Sequence, residues 1–278
     1  MPLRGRLAPT PSGYLHVGHA RTFAIAANRT VGAGLVLRIE DLDRERCRPE
    51  YADATVDDLA WLGFAWTEGP DIGGPHAPYR QGERTAWYLE TWRRLAAARL
   101  IYPSPHSRRD VEEAAIAPHA MPHDEEPVFP ATLRPAAWDL PREPGGVAWR
   151  FRVPDGRTIE FQDALAGTVR RTAGVDFGDF VIWRRDDVAA YELAVVADDH
   201  AMEIEEVVRG EDLLTSTARQ ILLYESLGWR PPAWCHAPLV RDAAGRRLAK
   251  RAGSLAIREL RRRGLSPGEV LAGLIPAA

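Results

Sequence analysis

The sequence predicts an α/β protein built on a parallel sheet and interrupted by a small mixed α/β insertion. Three observations carry this expectation. An apolar segment at 3–8 is followed by a helix-forming stretch and then by a second apolar segment at 34–39, the order of a β-α-β unit. From residue 191 a second series of apolar segments begins, with a helical pattern at 215–226 among them. Between the two, residues 103–147 are rich in Pro, Ala, His and acidic side chains and hold no sustained period, so they break the alternation.

The elements follow in order. Residues 3–8 suit a short strand ending at Pro9, and 17–31 supply the small and apolar residues of a helix packed closely on a sheet. The segment Gly34-Leu-Val-Leu-Arg-Ile39 suits a buried strand that runs into the acidic stretch Glu40-Asp41-Leu42-Asp43. Helices are expected at 50–63 and at 82–99, the latter with Trp87, Leu89, Trp92, Leu95 and Leu100 among its charges. The irregular excursion over 103–147 leads to strand-like alternation in Val147-Ala-Trp-Arg-Phe-Arg-Val153 and on to residue 183. Strands at 191–197, 204–209 and 236–240, a helix at 215–226 and helical pieces after 254 complete the sheet. The expected organisation is a catalytic unit formed by 1–100 and 191–278, with 101–190 inserted as a subdomain.

A chain of 278 residues with 45% hydrophobic and 27% charged residues can bury a sizeable core. No stretch approaches the roughly 18 apolar residues of a membrane span, and the first residues lack the apolar core of a signal peptide, so a cytoplasmic address and no membrane partner are expected. Cys47 and Cys235 lie far apart without the spacing of a metal site or redox pair. A monomer is the default expectation. The net charge of -3 hides an uneven distribution: residues 241–263 hold nine Arg or Lys against Asp242 and Glu259. Of the 36 Lys plus Arg residues 35 are Arg, and Lys250 is the one lysine. In a chain where Arg is the default cation, a lone compact ammonium points to chemistry that a planar fork would not serve.

Two segments carry that chemistry. The first, Arg6-Leu-Ala-Pro-Thr-Pro-Ser-Gly-Tyr-Leu-His-Val-Gly-His19, joins the first strand to the first helix, at the strand's carboxyl end where ligands bind in open α/β sheets. His16 and His19 flank Gly18 at a helix N-terminus, where free amides and the helix dipole favour phosphate, and Gly18 would let a flat base approach the backbone. The second is the basic run Arg247-Leu-Ala-Lys-Arg251 at the far end of the sequence.

Together these segments resemble the catalytic half of a class I aminoacyl-tRNA synthetase of the glutamyl type. His16-Val17-Gly18-His19 is similar to that family's HIGH signature, and Arg247–Arg251 resembles a degenerate KMSKS loop in which Arg247 and Ala249 replace the usual Lys and Ser. Arg6-x-Ala8-Pro9-Thr10-Pro11-x-Gly13, Arg38-Ile39-Glu40-Asp41-x-Asp43, Tyr191-x-Leu193-Ala194, Asp198-Asp199 and Val208-Arg209-Gly210-Glu211-Asp212 extend the likeness over most of the chain. The resemblance implies a Rossmann-like catalytic domain. It also implies ATP with Mg²⁺, L-glutamate and tRNA as partners. Glutamate carries two carboxylates and one ammonium, so Arg6 and Arg209 suit the carboxylates and Glu40 the ammonium, with Tyr191 and the segment Leu7, Ala8, Pro9 and Thr10 lining the remainder. Which Arg meets which carboxylate stays open. His16, Gly18, His19 and Lys250 are the expected ATP-binding set, with His16, His19 and Lys250 catalytic.

Only 27 residues follow Arg251, which leaves no room for the anticodon-binding region of ordinary glutamyl enzymes. In this the chain resembles the subgroup that attaches glutamate to queuosine in the anticodon loop of tRNA(Asp), as does Val195, where ordinary members tend to have Asn. That subgroup often carries a zinc site, whose ligands would align with Ser104, His106, Phe129 and Leu133; no structural zinc is therefore expected. The insertion is then expected to be held by packing around Trp138, Trp149 and Phe151. The alternatives are a glutamyl-tRNA synthetase fragment that charges tRNA(Glu) and a nucleotidyltransferase of the wider HIGH superfamily.

Overall fold

The computed structural model describes residues 3–107, 110–111, 127–239 and 256–272. The expected Lys250 loop and most of the 110–128 stretch lie outside them.

Strand β1 (Gly5–Leu7) pairs in parallel with β2 (Leu35–Leu37), and helix α1 (Val17–Arg29) makes the crossover between them. Ala20, Phe23, Ala24, Ile25 and Ala26 are the buried face of α1, small enough for the helix to lie close on the sheet. A side chain at Gly5 would place its Cβ 2.3 Å from the methyl of Thr30, so glycine is required where the end of α1 rests on β1. Helices α2 (Pro49–Trp61) and α3 (Thr85–Ala97) follow, near the expected bounds.

The second half of the core contains helix α4 (Tyr191–Ala201), strand β8 (Glu206–Gly210), helix α5 (Leu214–Leu227) and strand β9 (Ala233–Ala237). The short helices α6 (Ile257–Arg262) and α7 (Pro267–Leu271) come last. Strand β8 pairs in parallel with β9, and the carbonyl of Arg4 accepts the amides of Glu205 and Glu206, which brings β1 alongside β8. The first β-α-β unit and the second half thus form one parallel, Rossmann-like array.

One expectation is corrected here: 191–197 is not a strand but the body of α4. Every residue from Glu192 to Asp199 is buried. A helix covered on all sides shows an unbroken apolar run in place of the 3.6-residue period, and such a run reads like a buried strand.

Between the halves, β3 (Ile101–Ser104), β4 (Ala148–Phe151) and β7 (Phe180–Trp183) form an antiparallel sheet. Strands β5 (Thr158–Asp163) and β6 (Gly167–Thr172) form a hairpin whose first strand reaches β9 through the pair Asp163 and Trp234. Trp149 and Phe151 are fully buried in the larger core cluster, with Trp138 packed against it, and Trp92 of α3 meets Trp149 edge to face at 4.9 Å.

The positions aligned with the zinc ligands do not fit a metal. Ser104 is buried and its hydroxyl accepts a hydrogen bond from Arg150 Nε at 3.3 Å, while the Arg150 guanidinium lies 4.3 Å from the centre of the buried Phe129 ring. Leu133 packs against the same small apolar cluster. A guanidinium already stands among side chains that, His106 aside, offer no strong zinc donor.

Candidate active site

The candidate residues converge where β1, the extension of β2 and β8 reach their carboxyl ends. Beyond β2 the chain stays extended: the Arg38 amide donates to the Leu7 carbonyl and the Glu40 amide to the Pro9 carbonyl, both at 2.9 Å. Arg38 and Glu40, two apart on an extended segment, therefore point to the same side. Arg38 is fully buried; its Nη1 donates to Asp199 Oδ1 at 2.6 Å and its Nη2 to Glu40 Oε1 at 3.0 Å. Burial works against the Arg38 charge, but the carboxylates of Asp199, Asp198 and Glu40 more than offset it and keep the guanidinium protonated. Asp198 in turn accepts from Arg84, Gln81 and Tyr88 at 2.6, 2.8 and 2.8 Å. Glu40 is thus held in place from behind. Burial raises its pKa, while Arg38 and Arg6 oppose the rise.

Arg6 is buried on β1, donates through Nη1 to the Val208 carbonyl at 2.9 Å and lies 3.5 Å from Asp199 through Nε. Arg209, the next residue of β8, is buried as well. Its Nη1 donates to the Tyr191 hydroxyl at 3.2 Å, its Nη2 to Thr217 Oγ1 at 2.7 Å and its Nε to His236 Nε2 at 3.2 Å. All three acceptors are neutral, and among the described residues no carboxylate stands within ion-pair distance of Arg209. Its charge is therefore available to an incoming anion. Burial raises the Tyr191 pKa; Arg209 and Arg6 oppose the rise, and Glu40 and Glu192 add to it.

The segment after β1 contributes unevenly. Leu7 sends its side chain into the core and its carbonyl is engaged by Arg38, so little of it remains for a ligand. Pro9 is buried, Ala8 half-buried and Thr10 exposed.

At the start of α1, His16 caps the helix: the Gly18 amide donates to His16 Nδ1 at 3.2 Å, and the His16 amide points at His19 Nδ1 at 3.4 Å. The two imidazoles stack with centroids 3.8 Å apart. A Cβ at Gly18 would meet the His16 ring at 3.0–3.1 Å, so glycine lets that imidazole fold back against the start of the helix. With no acidic residue in its first turn, the positive end of α1 faces the site uncompensated by its own helix.

Lys250 and Arg247–Arg251 lie outside the described residues, but the residues flanking 240–255 do not. The Leu239 amide donates to Glu211 Oε1 at 3.0 Å, just beyond β9. On the other side, Ala256 bridges to His16 and the Ile257 amide donates to the Leu15 carbonyl at 2.8 Å. The described flanks are thus Leu239, bonded to Glu211 after β8, and Ala256, paired with His16. The sequence assigned ligand roles to Arg6, Glu40, Tyr191 and Arg209, and it carried Arg38, Asp198 and Asp199 within the family motifs without a role. Thr217, His236 and Asp163, which stand behind Arg209, it did not single out.

Against this geometry, the family model for the catalytic domain of class I tRNA synthetases (E and Q) matches residues 2–276. The glutamyl-Q tRNA(Asp) synthetase of Nitratidesulfovibrio vulgaris is 44% identical over 99% of this chain and 87% of its own. That of Symbiobacterium thermophilum is 46% identical over 98% of this chain and 85% of its own. Among solved structures, a glutamate tRNA ligase from Elizabethkingia meningosepticum in complex with its amino acid superposes with a TM-score of 0.72 at 28% identity, covering 95% of this chain and 54% of that one.

Proposed function

Because the chain belongs to the class I tRNA synthetases of the E and Q type, we propose that it activates L-glutamate with ATP and delivers the glutamyl group to queuosine in the anticodon loop of tRNA(Asp). The enzyme class, a ligase of the aminoacyl-tRNA synthetase kind, follows from the family; the amino acid's contacts and the acceptor are the proposal. The observation that supports it is that Arg6 on β1 bonds the carbonyl of Val208, next to Arg209 on β8, and also touches Asp199, which with Glu40 holds the buried Arg38.

Glutamate enters with its carboxylates on Arg6 and Arg209 and its ammonium on Glu40, and Tyr191 adds a hydroxyl contact. Its α-carboxylate is already ionised, so no general base is needed for the first step. A carboxylate oxygen attacks the α-phosphorus of ATP, the bond to pyrophosphate breaks, and pyrophosphate leaves. His16, His19 and the positive end of the α1 dipole hold the phosphates, Gly18 permits the histidine stack, and Lys250 follows the charge onto the leaving group. Mg²⁺ enters with ATP as part of the substrate. An acceptor hydroxyl then attacks the glutamyl carbonyl carbon, giving up its proton as AMP departs.

Two features support queuosine as the acceptor. The two glutamyl-Q tRNA(Asp) synthetases are 44% and 46% identical to this chain, the solved glutamate tRNA ligase 28%. Val195, one helical turn beyond Tyr191 and buried, stands where ordinary glutamyl enzymes tend to have Asn. The test is transfer of labelled glutamate, with ATP and Mg²⁺, to queuosine-containing tRNA(Asp), the same tRNA without queuosine, and tRNA(Glu). Labelling of the first alone is expected. Charging of tRNA(Glu) alone would identify a glutamyl-tRNA synthetase and overturn the acceptor.

A further inference from the structure

A buried chain of polar groups runs behind Arg209 and ends in the inserted segment. Asp163, the last residue of β5, accepts the amides of Leu165 and Ala166 through Oδ1 at 3.0 and 2.8 Å. It also accepts the amide of His236 at 3.1–3.2 Å and meets His236 Nδ1 at 2.6 Å. Burial alone would raise the Asp163 carboxyl, but these donors hold it below the usual carboxylate range. An ionised Asp163 can only accept, so the proton of the His236 ring sits on Nδ1 and Nε2 is left as an acceptor. His236 is itself buried, and burial followed by the charge of Arg209 pushes its pKa down to about 4, so the ring is neutral at working pH.

The free lone pair of His236 Nε2 faces Arg209 Nε at 3.2 Å and the Thr217 hydroxyl at 2.9 Å, while Thr217 Oγ1 accepts Arg209 Nη2 at 2.7 Å. Underneath, the guanidinium lies 5.1 Å from the centre of the Trp234 ring. Two edges of the fork are therefore tied to neutral acceptors on β9 and α5, and the tautomer of one of them is set by a residue of the insertion. None of these ties neutralises Arg209. They fix its plane and leave its charge for the ligand.

We infer that Asp163 and His236 are positioning residues for the substrate-binding fork of Arg209, with Asp163 selecting the imidazole tautomer that can accept from it. The inference rests on the assignment of Arg209 to a glutamate carboxylate made above. It implies that the hairpin of β5 and β6, although remote in sequence from the other glutamate contacts, governs glutamate affinity through one buried hydrogen-bonded pair.

The test is steady-state ATP–pyrophosphate exchange with tRNA present, varying glutamate and ATP separately. Four variants are compared: Arg209→Lys, His236→Leu, His236→Gln and Asp163→Asn. In Asp163→Asn the amide donates to Nδ1 and moves the ring proton to Nε2, where it faces Arg209 as a donor. The expected result is a rise in glutamate KM of roughly tenfold or more for His236→Leu and Asp163→Asn, the scale of a lost hydrogen bond to a charged group. ATP KM should stay within about twofold. His236→Gln, whose amide oxygen can accept from Nε, should recover most of the loss. Folding is checked by thermal unfolding; should His236→Leu fail to fold, the near-isosteric Asp163→Asn carries the test. Equal changes in both KM values, an unchanged glutamate KM, or no recovery in His236→Gln overturns the inference while leaving the Arg209 assignment intact. An unchanged glutamate KM in Arg209→Lys overturns the assignment and the inference with it.

Discussion

At the scale of single residues, the site is a set of charges whose availability is decided by what stands behind each one. Arg38 spends its charge on Asp199 and Glu40, whereas Arg209 meets, among the described residues, only neutral acceptors. The same logic sets a pH dependence at His236, which faces Asp163, Arg209 and Thr217. Its pKa falls from an ordinary 6.5 to about 4 on folding, so the unfolded chain takes up a proton that the folded chain refuses. Stability from this group is complete above about pH 6.5 and is lost as pH falls towards 4, by about 3 kcal/mol in all. Thermal unfolding of the wild type and of His236→Gln between pH 7.5 and 4 checks this: the wild type should lose more stability over that window. The identities Arg6, Glu40, Tyr191 and Arg209 were legible because each sits in a local motif. Asp163 and His236 were not, because each acts on a partner far away in sequence, and Thr217, eight residues from Arg209, belongs to no motif.

At the scale of elements, α1 shows how one glycine serves a helix end. Gly18 lies in the first turn, where the His16 ring folds back against it. Gly18→Ala should change stability little, since the gain of alanine in a helix, at most about 1 kcal/mol, is offset by loss of the His16 cap, about 1 kcal/mol. It should also push the His16 ring off the start of α1 and lower the rate of adenylate formation. Unfolding curves and pyrophosphate exchange on the same preparation check both; a variant with unchanged exchange would remove His16 from the phosphate contacts. Helix α4 is the contrasting element. Its run Leu193-Ala-Val-Val-Ala197 reads as a strand because burial on every side erases the helical period, and only its packing in the core makes it a helix.

At the scale of the whole molecule, the insertion is tied into one piece by buried ion pairs and aromatic contacts. Arg134 forks onto Asp179 with Nε and Nη2 at 2.7 and 2.8 Å and also reaches Asp155. Asp179 further accepts the Tyr102 hydroxyl and the Val153 amide. Arg134→Ala leaves a buried carboxylate without its cation and should cost about 3 kcal/mol, seen as a lower unfolding midpoint. Dialysis of the wild type against a chelator should leave that midpoint unchanged, because Arg150 stands where a metal would need ligands. By itself the sequence determined the motifs that point to ATP and glutamate, the β-α-β opening, and the family those motifs belong to. These are local facts, carried by residues within a few positions of one another. The tertiary structure decided that α4 is a helix, that Gly18 makes room for His16, and that Asp163, His236 and Thr217 set the fork of Arg209. Apart from the neighbouring Gly18 and His16, these depend on burial and on contacts between residues 8 to 73 positions apart, brought together by the packing of the whole core, and no short stretch of sequence records them.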